Sequence, residues 1–419
     1  MKRLVQVVFL VLSLAAFASA QHKRLWVLGP SGEMVEYDSS TLAMKQAIKV
    51  PAEAFASPQG LEVNRAGQML FAAPLSLPFS EGDLAAGKKV WLWNGHATAT
   101  LTRDVSRATA TAGSNLAITE SDPAPYLSAE GTHLYWFGNQ ARRLQRDGVD
   151  LSLKDKWLSW RTELDGGGRE DLASIAMPDC SCPTGGCEET CAYGEVWVPE
   201  DGVGSFFLVN QNIAGQTRAT YKSSAIFANS AGKWAATQID PPLRRVLDAA
   251  GVDAILEAVP DTGCCGWSNE SNDQTLLRFR GKTLTVFDER NEYKNPDYDV
   301  SFYTENGKLS PDLGFVAVTI AATTPANTPI QLAEEGQANP EESQHIRKAL
   351  LDLPAVEIKS TDEPSRRIAF LPHATLVGWI SDKEILIVEG HLLVAYNVAS
   401  GTRQRSNLRV EDAAHVFLR

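Results

Sequence analysis

The amino-acid sequence predicts an all-β protein built from a repeated strand-and-turn unit. Runs of four or five aromatic and β-branched residues are each followed by a turn that contains glycine. Because such short strands cannot bury their apolar faces alone, the recurrence indicates several small sheets packed together. The clearest units are Leu25 to Leu28 before Gly29 to Gly32, Lys89 to Trp93 before Asn94-Gly95, and Ile385 to Val388 before Glu389-Gly390.

The two ends of the chain carry the same strand-and-turn pattern. Residues Val35 to Thr41 follow a strand and a turn, and Val394 to Thr402 follow another strand and turn in nearly the same phase. A chain whose ends repeat one unit is typical of a ring of repeats. The sequence therefore predicts ring closure.

Two longer segments resemble repeat segments of β-propellers of the WD-repeat-like or TolB-like kind. Tyr126 to Tyr135 has the order strand, small-residue turn with Glu130-Gly131, strand, and Trp160 to Gly167 is similar to the hairpin that follows it. The strict Gly-His and Trp-Asp dipeptides are missing, so the resemblance is to the architecture. It implies one domain over residues 21–419 with about seven four-stranded blades, six and eight being the alternatives, and it carries over no catalytic residue. Two smaller β-domains divided near the cysteine-rich segment are the competing interpretation.

Two short helical insertions are predicted near residues 241–258 and 340–353. In the first, Asp240 precedes two prolines, and Leu243, Val246, Leu247 and Ala250 recur at helical spacing. In the second, Asn339-Pro340 starts a segment in which Ile346, Ala349, Leu350 and Leu353 recur before Pro354. These helices are expected either to cap one face of a ring or to cover a sheet edge.

Residues 1–20 read as a secretory signal peptide. Lys2-Arg3 precedes an apolar run from Leu4 to Phe17, and Ala18-Ser19-Ala20 forms the cleavage motif. The mature protein is therefore expected to be exported, periplasmic or secreted, with no membrane span. Its 51 acidic and 37 basic residues give a net charge of −14, which argues against a nucleic-acid partner.

The six cysteines fall in two groups. Four lie in the cysteine-rich loop 178–192 and two are adjacent, which favours disulfides in an exported protein without fixing their pairing. A four-thiolate metal site is the alternative, although the paired C-x2-C spacing of zinc modules is missing. The disulfide candidates are Cys180, Cys182, Cys187, Cys191, Cys264 and Cys265.

No sequence motif specifies catalysis. The chain lacks a P-loop, a G-x-S-x-G elbow, an H-E-x-x-H pair and a C-x-x-C-H haem motif, and its seven histidines are scattered. We therefore assign no catalytic, cofactor-binding or metal residue and expect no cofactor. The sequence favours a monomeric, non-enzymatic propeller whose loops bind a protein or other macromolecular ligand. The alternative is an enzyme or metalloprotein with its site in the central channel.

Overall fold

A computed structural model describes most of the chain as short antiparallel strands. The described residues are 23–39, 41–52, 61–72, 89–102, 116–117, 125–146, 149–176, 192–213, 220–229, 232–259, 273–293, 300–323, 340–410 and 412–419. The statements below concern these residues.

The strands form seven antiparallel sheets, arranged as the blades of a β-propeller, and each blade has four main strands. Blade 1 contains β1 (Arg24–Leu28), β2 (Glu33–Asp38), β3 (Met44–Lys49) and the last strand of the chain. Blade 2 contains β4 (Leu61–Val63), β5 (Met69–Ala72), β6 (Lys89–Trp93) and β7 (Thr98–Thr102). Blade 3 contains β9 (Tyr126–Leu127), β10 (His133–Arg146), β11 (Val149–Glu163) and β12 (Glu170–Ala176), and the short β8 (Leu116–Ala117) also pairs with β10.

The remaining four blades follow in chain order. Blade 4 contains β13 (Ala192–Trp197), β14 (Phe206–Ile213), β15 (Thr220–Ala228) and β16 (Trp234–Ile239). Blade 5 contains β17 (Arg245–Ala249), β18 (Ala254–Val259), β19 (Gln274–Phe279) and β20 (Lys282–Asp288). Blade 6 contains β21 (Phe302–Leu309), β22 (Phe315–Ala322), β23 (Ala355–Ser360) and β24 (Arg367–Pro372). Blade 7 contains β25 (Ala374–Ser381), β26 (Glu384–Glu389), β27 (Leu392–Asn397) and β28 (Arg403–Arg409).

The C-terminal strand closes the ring. After a 3-10 turn at Ala413–His415, β29 (Val416–Leu418) pairs with β1 and becomes the first strand of blade 1. Arg24 and Arg419 also exchange two backbone hydrogen bonds, so the two ends of the chain lie in one sheet. The predicted ring closure is confirmed, as is the prediction of seven blades.

The core consists of apolar layers between neighbouring blades. Trp26 of blade 1 meets Trp93 of blade 2 edge to face, with ring centroids 5.7 Å apart, and Phe417 packs in the same layer. Between blades 3 and 4, Phe137 stacks on Trp157 and contacts Phe207. Contacts between aromatic side chains therefore stabilise the packing of neighbouring blades.

One predicted helix is confirmed and the other is wrong. The helix α2 (Pro340–Leu351) packs Ile346 and Leu350 onto the apolar layer of blades 5 and 6, and a single-turn helix α1 (Glu289–Tyr293) follows β20. Residues 241–258, predicted to be helical, instead form the strands β17 and β18. A β-bulge after Val246 shifts the strand register, so Val246 and Leu247 imitate helical spacing, and Gly251 lies in the hairpin turn with a φ of 84°.

The two faces of the ring differ in the length of their connections. One face, here called the short-turn face, carries the connections from the first to the second and from the third to the fourth strand of each blade, and these span at most eight residues. The opposite face, here called the long-connection face, carries the other connections, of which seven exceed ten residues. The helices α1 and α2 belong to this second face.

Candidate functional site

The central channel is crossed at the short-turn face by one loop of blade 4. This loop, residues 198–205, joins β13 to β14 and is called the strap below. The Val203 N–H donates to Leu127 O at 2.8 Å in blade 3, and the Arg65 N–H of blade 2 donates to Asp201 O at 2.7 Å. Glu200 contacts blades 1 and 6 as well. A loop that starts in blade 4 and reaches blades 1, 2 and 6 lies over the axis of the ring.

Three positive charges surround the carboxylate at the centre of the strap. Lys308 Nζ lies 2.6 Å from Glu200 Oε1, and Arg419 Nη1 lies 3.3 Å from Glu200 Oε2. Burial acts to raise the pKa of Glu200, but the charges of Lys308, Arg419 and Lys23 outweigh it and lower the pKa to about 2. The Glu200 side chain is nevertheless 43% exposed, which fits a carboxylate in the lumen of a channel. The cluster connects blade 4 with the two ends of the chain.

Two further carboxyl groups line the same end of the channel. Both oxygens of Glu62, on the first strand of blade 2, accept the Leu127 N–H at 3.1 Å, while burial raises the pKa of Glu62 to about 8. Asp248, on the first strand of blade 5, accepts the Leu309 N–H at 2.8 Å. Burial raises the pKa of Asp248 as well, and it also lowers the pKa of Lys23. Perturbed titration of this kind is frequent at functional sites, so the channel end is the candidate site.

The strap depends on one glycine, which gives a first prediction. Gly202 has a φ of 104°, and a Cβ atom there would lie 2.8 Å from Ala129 N and 2.9 Å from Ala129 Cα. We expect Gly202→Ala to lower the free energy of unfolding by about 2–4 kcal/mol, because it combines an unfavourable φ with a backbone clash.

The matched control is Gly204→Ala, in the same strap, where a Cβ atom would meet nothing within 4 Å. Urea unfolding should place this control within roughly 0.5 kcal/mol of the wild type. Equal effects of the two substitutions would contradict the described path of the strap.

The structure leaves the predicted disulfide residues untested. All six cysteines and the predicted signal peptide lie outside the described residues, so their roles stay predictions. The strands that flank the cysteines are described: β12 and β13 border one group, β18 and β19 border the other, and all four meet their cysteine segment at the long-connection face. Within the described part of the chain, no group of three or more His, Cys, Asp or Glu side chains could hold a metal ion. None of the described helices is long and apolar enough to cross a membrane.

Sequence reasoning did not identify the channel residues. Glu62, Glu200, Asp248, Lys308 and Arg419 are distant in sequence and belong to no motif. The sequence feature that could have identified them is a charged residue near the end of the first strand of a blade, as in Asp248 and Lys308. This feature can be recognised only when the boundaries of the blades are known. Only ring closure brings these side chains together.

Comparison with known proteins identifies no family but finds distantly similar solved structures. No family model matches the sequence, and no curated protein is significantly similar to it. Among solved structures, the β-propeller domain of the Trilobed protease from Pyrococcus furiosus is 10% identical over 89% of this chain and 88% of that chain, with a TM-score of 0.41. The WD40 domain of SCAP from fission yeast is 9% identical over 94% and 86%, with a TM-score of 0.33.

A lactonase-like protein from Bacteroides fragilis is similar in the same way. It is 10% identical over 94% of this chain and 97% of that chain, with a TM-score of 0.43. At such identities and TM-scores the likeness transfers no function to this chain. The seven blades of the structure make the chain a β-propeller, as the sequence predicts, and no subfamily is assigned.

Proposed function

We propose that this protein is an exported, non-enzymatic β-propeller that binds a protein or other macromolecular ligand at its long-connection face. The observation that carries the proposal is the asymmetry of the two faces. Seven connections longer than ten residues leave one face, while the opposite face has short turns and a strap over the channel. Connections longer than about 12–15 residues are uncommon in compact domains and are frequently functional, and a rigid ring positions them for recognition.

The described carboxyl groups at the channel end are engaged within the protein. Glu200 is engaged by Lys308 and Arg419, and Glu62 and Asp248 accept backbone N–H groups, so each of these described carboxyl groups already has a partner. A channel enzyme is the second candidate function. It is favoured by the pKa of Glu62, about 8, because a carboxyl group that is protonated at neutral pH can act as a general acid.

Site-specific photo-crosslinking tests the proposed face. A photoreactive amino acid replaces Ser31 or Lys348, which are exposed on the long-connection face, or the controls Glu363 and Lys383, which are exposed on the short-turn face. We expect more extracytoplasmic protein to be crosslinked at the first two positions than at the two controls. Crosslinking that is equal on both faces, or stronger at the controls, would contradict the proposal.

A further inference from the structure

The outer strand of blade 4 differs from the outer strands of most other blades. In every blade the fourth strand lies at the perimeter of the ring, and no described strand pairs with its outer edge. In five of the other six blades this strand contains charged residues, and a bulge interrupts its pairing with the third strand. Charges and bulges keep sheet edges from pairing with another chain. Strand β16 has no charged residue and pairs with β15 in unbroken register.

The outer edge of β16 presents backbone groups to solvent. The Asn229 N–H donates to Lys233 O at 2.9 Å, so Lys233 directs its carbonyl group towards β15. Because successive residues of a strand alternate in this direction, Ala236 and Gln238 direct their N–H and C=O groups away from the blade. Both residues are exposed, as are Ala235 and Thr237 between and beside them. The edge can therefore form a ladder of hydrogen bonds with a further strand.

The residues that flank β16 carry opposite charges. Lys233 precedes the strand and Asp240 follows it, and both are exposed. Neither side chain forms an ion pair within the described part of the chain. Strand β7 is the other outer strand without charges or a bulge, but Ala97 and Arg103 flank it, so it lacks this pair of opposite charges.

The two flanking charges make the edge complementary to itself. When two β16 strands pair antiparallel about their centres, Lys233 of each copy comes within one residue of the position opposite Asp240 of the other copy. Opposite charges then lie close together at both ends of the paired strands. The uncharged residues between them place no like charges opposite each other, which would oppose the pairing.

We propose that β16 pairs antiparallel with β16 of a second copy of this chain, so that two blades form one continuous sheet. Such a contact uses the same surface on both copies and closes as a dimer with twofold symmetry. It lies at the perimeter of the ring and does not depend on the proposed ligand face. Two six-residue edges bury less area than a standard interface, so the dimer is weak, with a dissociation constant of roughly 10–100 µM.

Sedimentation equilibrium of the mature protein tests the dimer. We expect a reversible equilibrium between monomer and dimer in the concentration range given by this dissociation constant. A protein that stays monomeric at about 300 µM would overturn the proposal, and an extended segment of another protein would then be the better occupant of the edge.

Charge-reversal variants test the antiparallel arrangement at low ionic strength, where surface charges are least screened. Lys233→Glu and Asp240→Lys should each weaken the homodimer at least about 5-fold, because each homodimer then has two like-charge contacts. An equimolar mixture of the two variants should dimerise as well as the wild type, because both contacts of the heterodimer join opposite charges. The matched control Lys49→Glu, at the end of the outer strand β3, should leave dimerisation unchanged. A mixture that dimerises no better than the single variants would overturn the proposal.

A proline variant tests the backbone pairing itself. Ala236→Pro removes an N–H that points away from β15, and proline is tolerated at such positions of edge strands. The variant should keep nearly the wild-type urea midpoint and should dimerise about 10-fold more weakly or worse, because it loses hydrogen bonds at the centre of the contact. Dimerisation of a folded Ala236→Pro variant with wild-type affinity would overturn the proposal. If this variant folds poorly, the mixing experiment with the charge-reversal variants decides.

Discussion

Deletion of residues 416–419 should unfold the protein or cost it a large part of its stability. These residues form the closing strand β29, in which Val416, Phe417 and Leu418 are each less than 9% exposed. Burial of three such side chains contributes roughly 5 kcal/mol or more, which is comparable to the whole stability of many domains. The deletion also removes Arg419, which holds Glu200 and donates to Val63 O at 2.8 Å. We expect the urea midpoint to fall by about 1–2 M or the cooperative transition to disappear.

Complementation distinguishes loss of the closing strand from a general effect of truncation. A synthetic peptide with residues 410–419 should restore part of the urea midpoint when added to the truncated chain, because it can pair with the free edge of β1. A peptide of the same composition in scrambled order should not. If the truncated chain unfolds at the wild-type midpoint, β29 does not close the ring.

Much of the architecture could be predicted from the sequence because a propeller repeats a local pattern. The hairpin from Leu25 to Asp38 and the strand beginning at Ile385 combine β-branched or aromatic residues with glycine turns, and both are strands in the structure. The false helix at 241–258 arose because a bulged strand and a helix share apolar spacing over ten residues. A bulged strand can be distinguished from a helix only when its partner strand is known, and the sequence does not show strand pairing.

The candidate site could not be predicted, for a different physical reason. By residue type, Glu62 and Glu200 are both glutamates, which are usually exposed. Their pKa values shift in opposite directions only because the two side chains occupy different places in the ring. Glu62 is half-buried and accepts one backbone N–H, whereas Glu200 lies beside the charges of Lys308 and Arg419. Environment rather than residue type sets such values, and it arises from contacts between distant segments.

The opposite pKa shifts of Glu62 and Glu200 together limit the negative charge at the channel end. The strap brings a stable anion to the channel end, and Glu62 stays neutral nearby, so the described cations Lys308 and Arg419 have one principal carboxylate partner. Neutralising Glu62 avoids a second uncompensated charge within the ring. Ionisation of Glu62 should therefore cost stability.

Glu62→Gln should stabilise the protein at alkaline pH. The folded-state pKa of Glu62 is about 8, above the ordinary value of 4.5, so the folded protein keeps a proton that the unfolded chain releases between these values. The stability that Glu62 contributes is present below pH 4.5 and is lost as the pH rises through about 8. Glutamine cannot ionise and keeps an oxygen for the Leu127 N–H. The variant should exceed the wild type by about 3–4 kcal/mol at pH 9, and the two should converge near pH 5.

Glu200→Gln provides the control of opposite sign in the same urea titrations. The pKa of Glu200 is lowered to about 2, so its stabilising effect is present above the ordinary value of 4.5 and is lost as the pH falls towards 2. This variant should be less stable than the wild type at pH 7, because Lys308 and Arg419 lose their partner, and the difference should shrink with acidification. A Glu62→Gln curve parallel to that of the wild type from pH 5 to pH 9 would show that the Glu62 carboxyl group ionises normally in the folded protein.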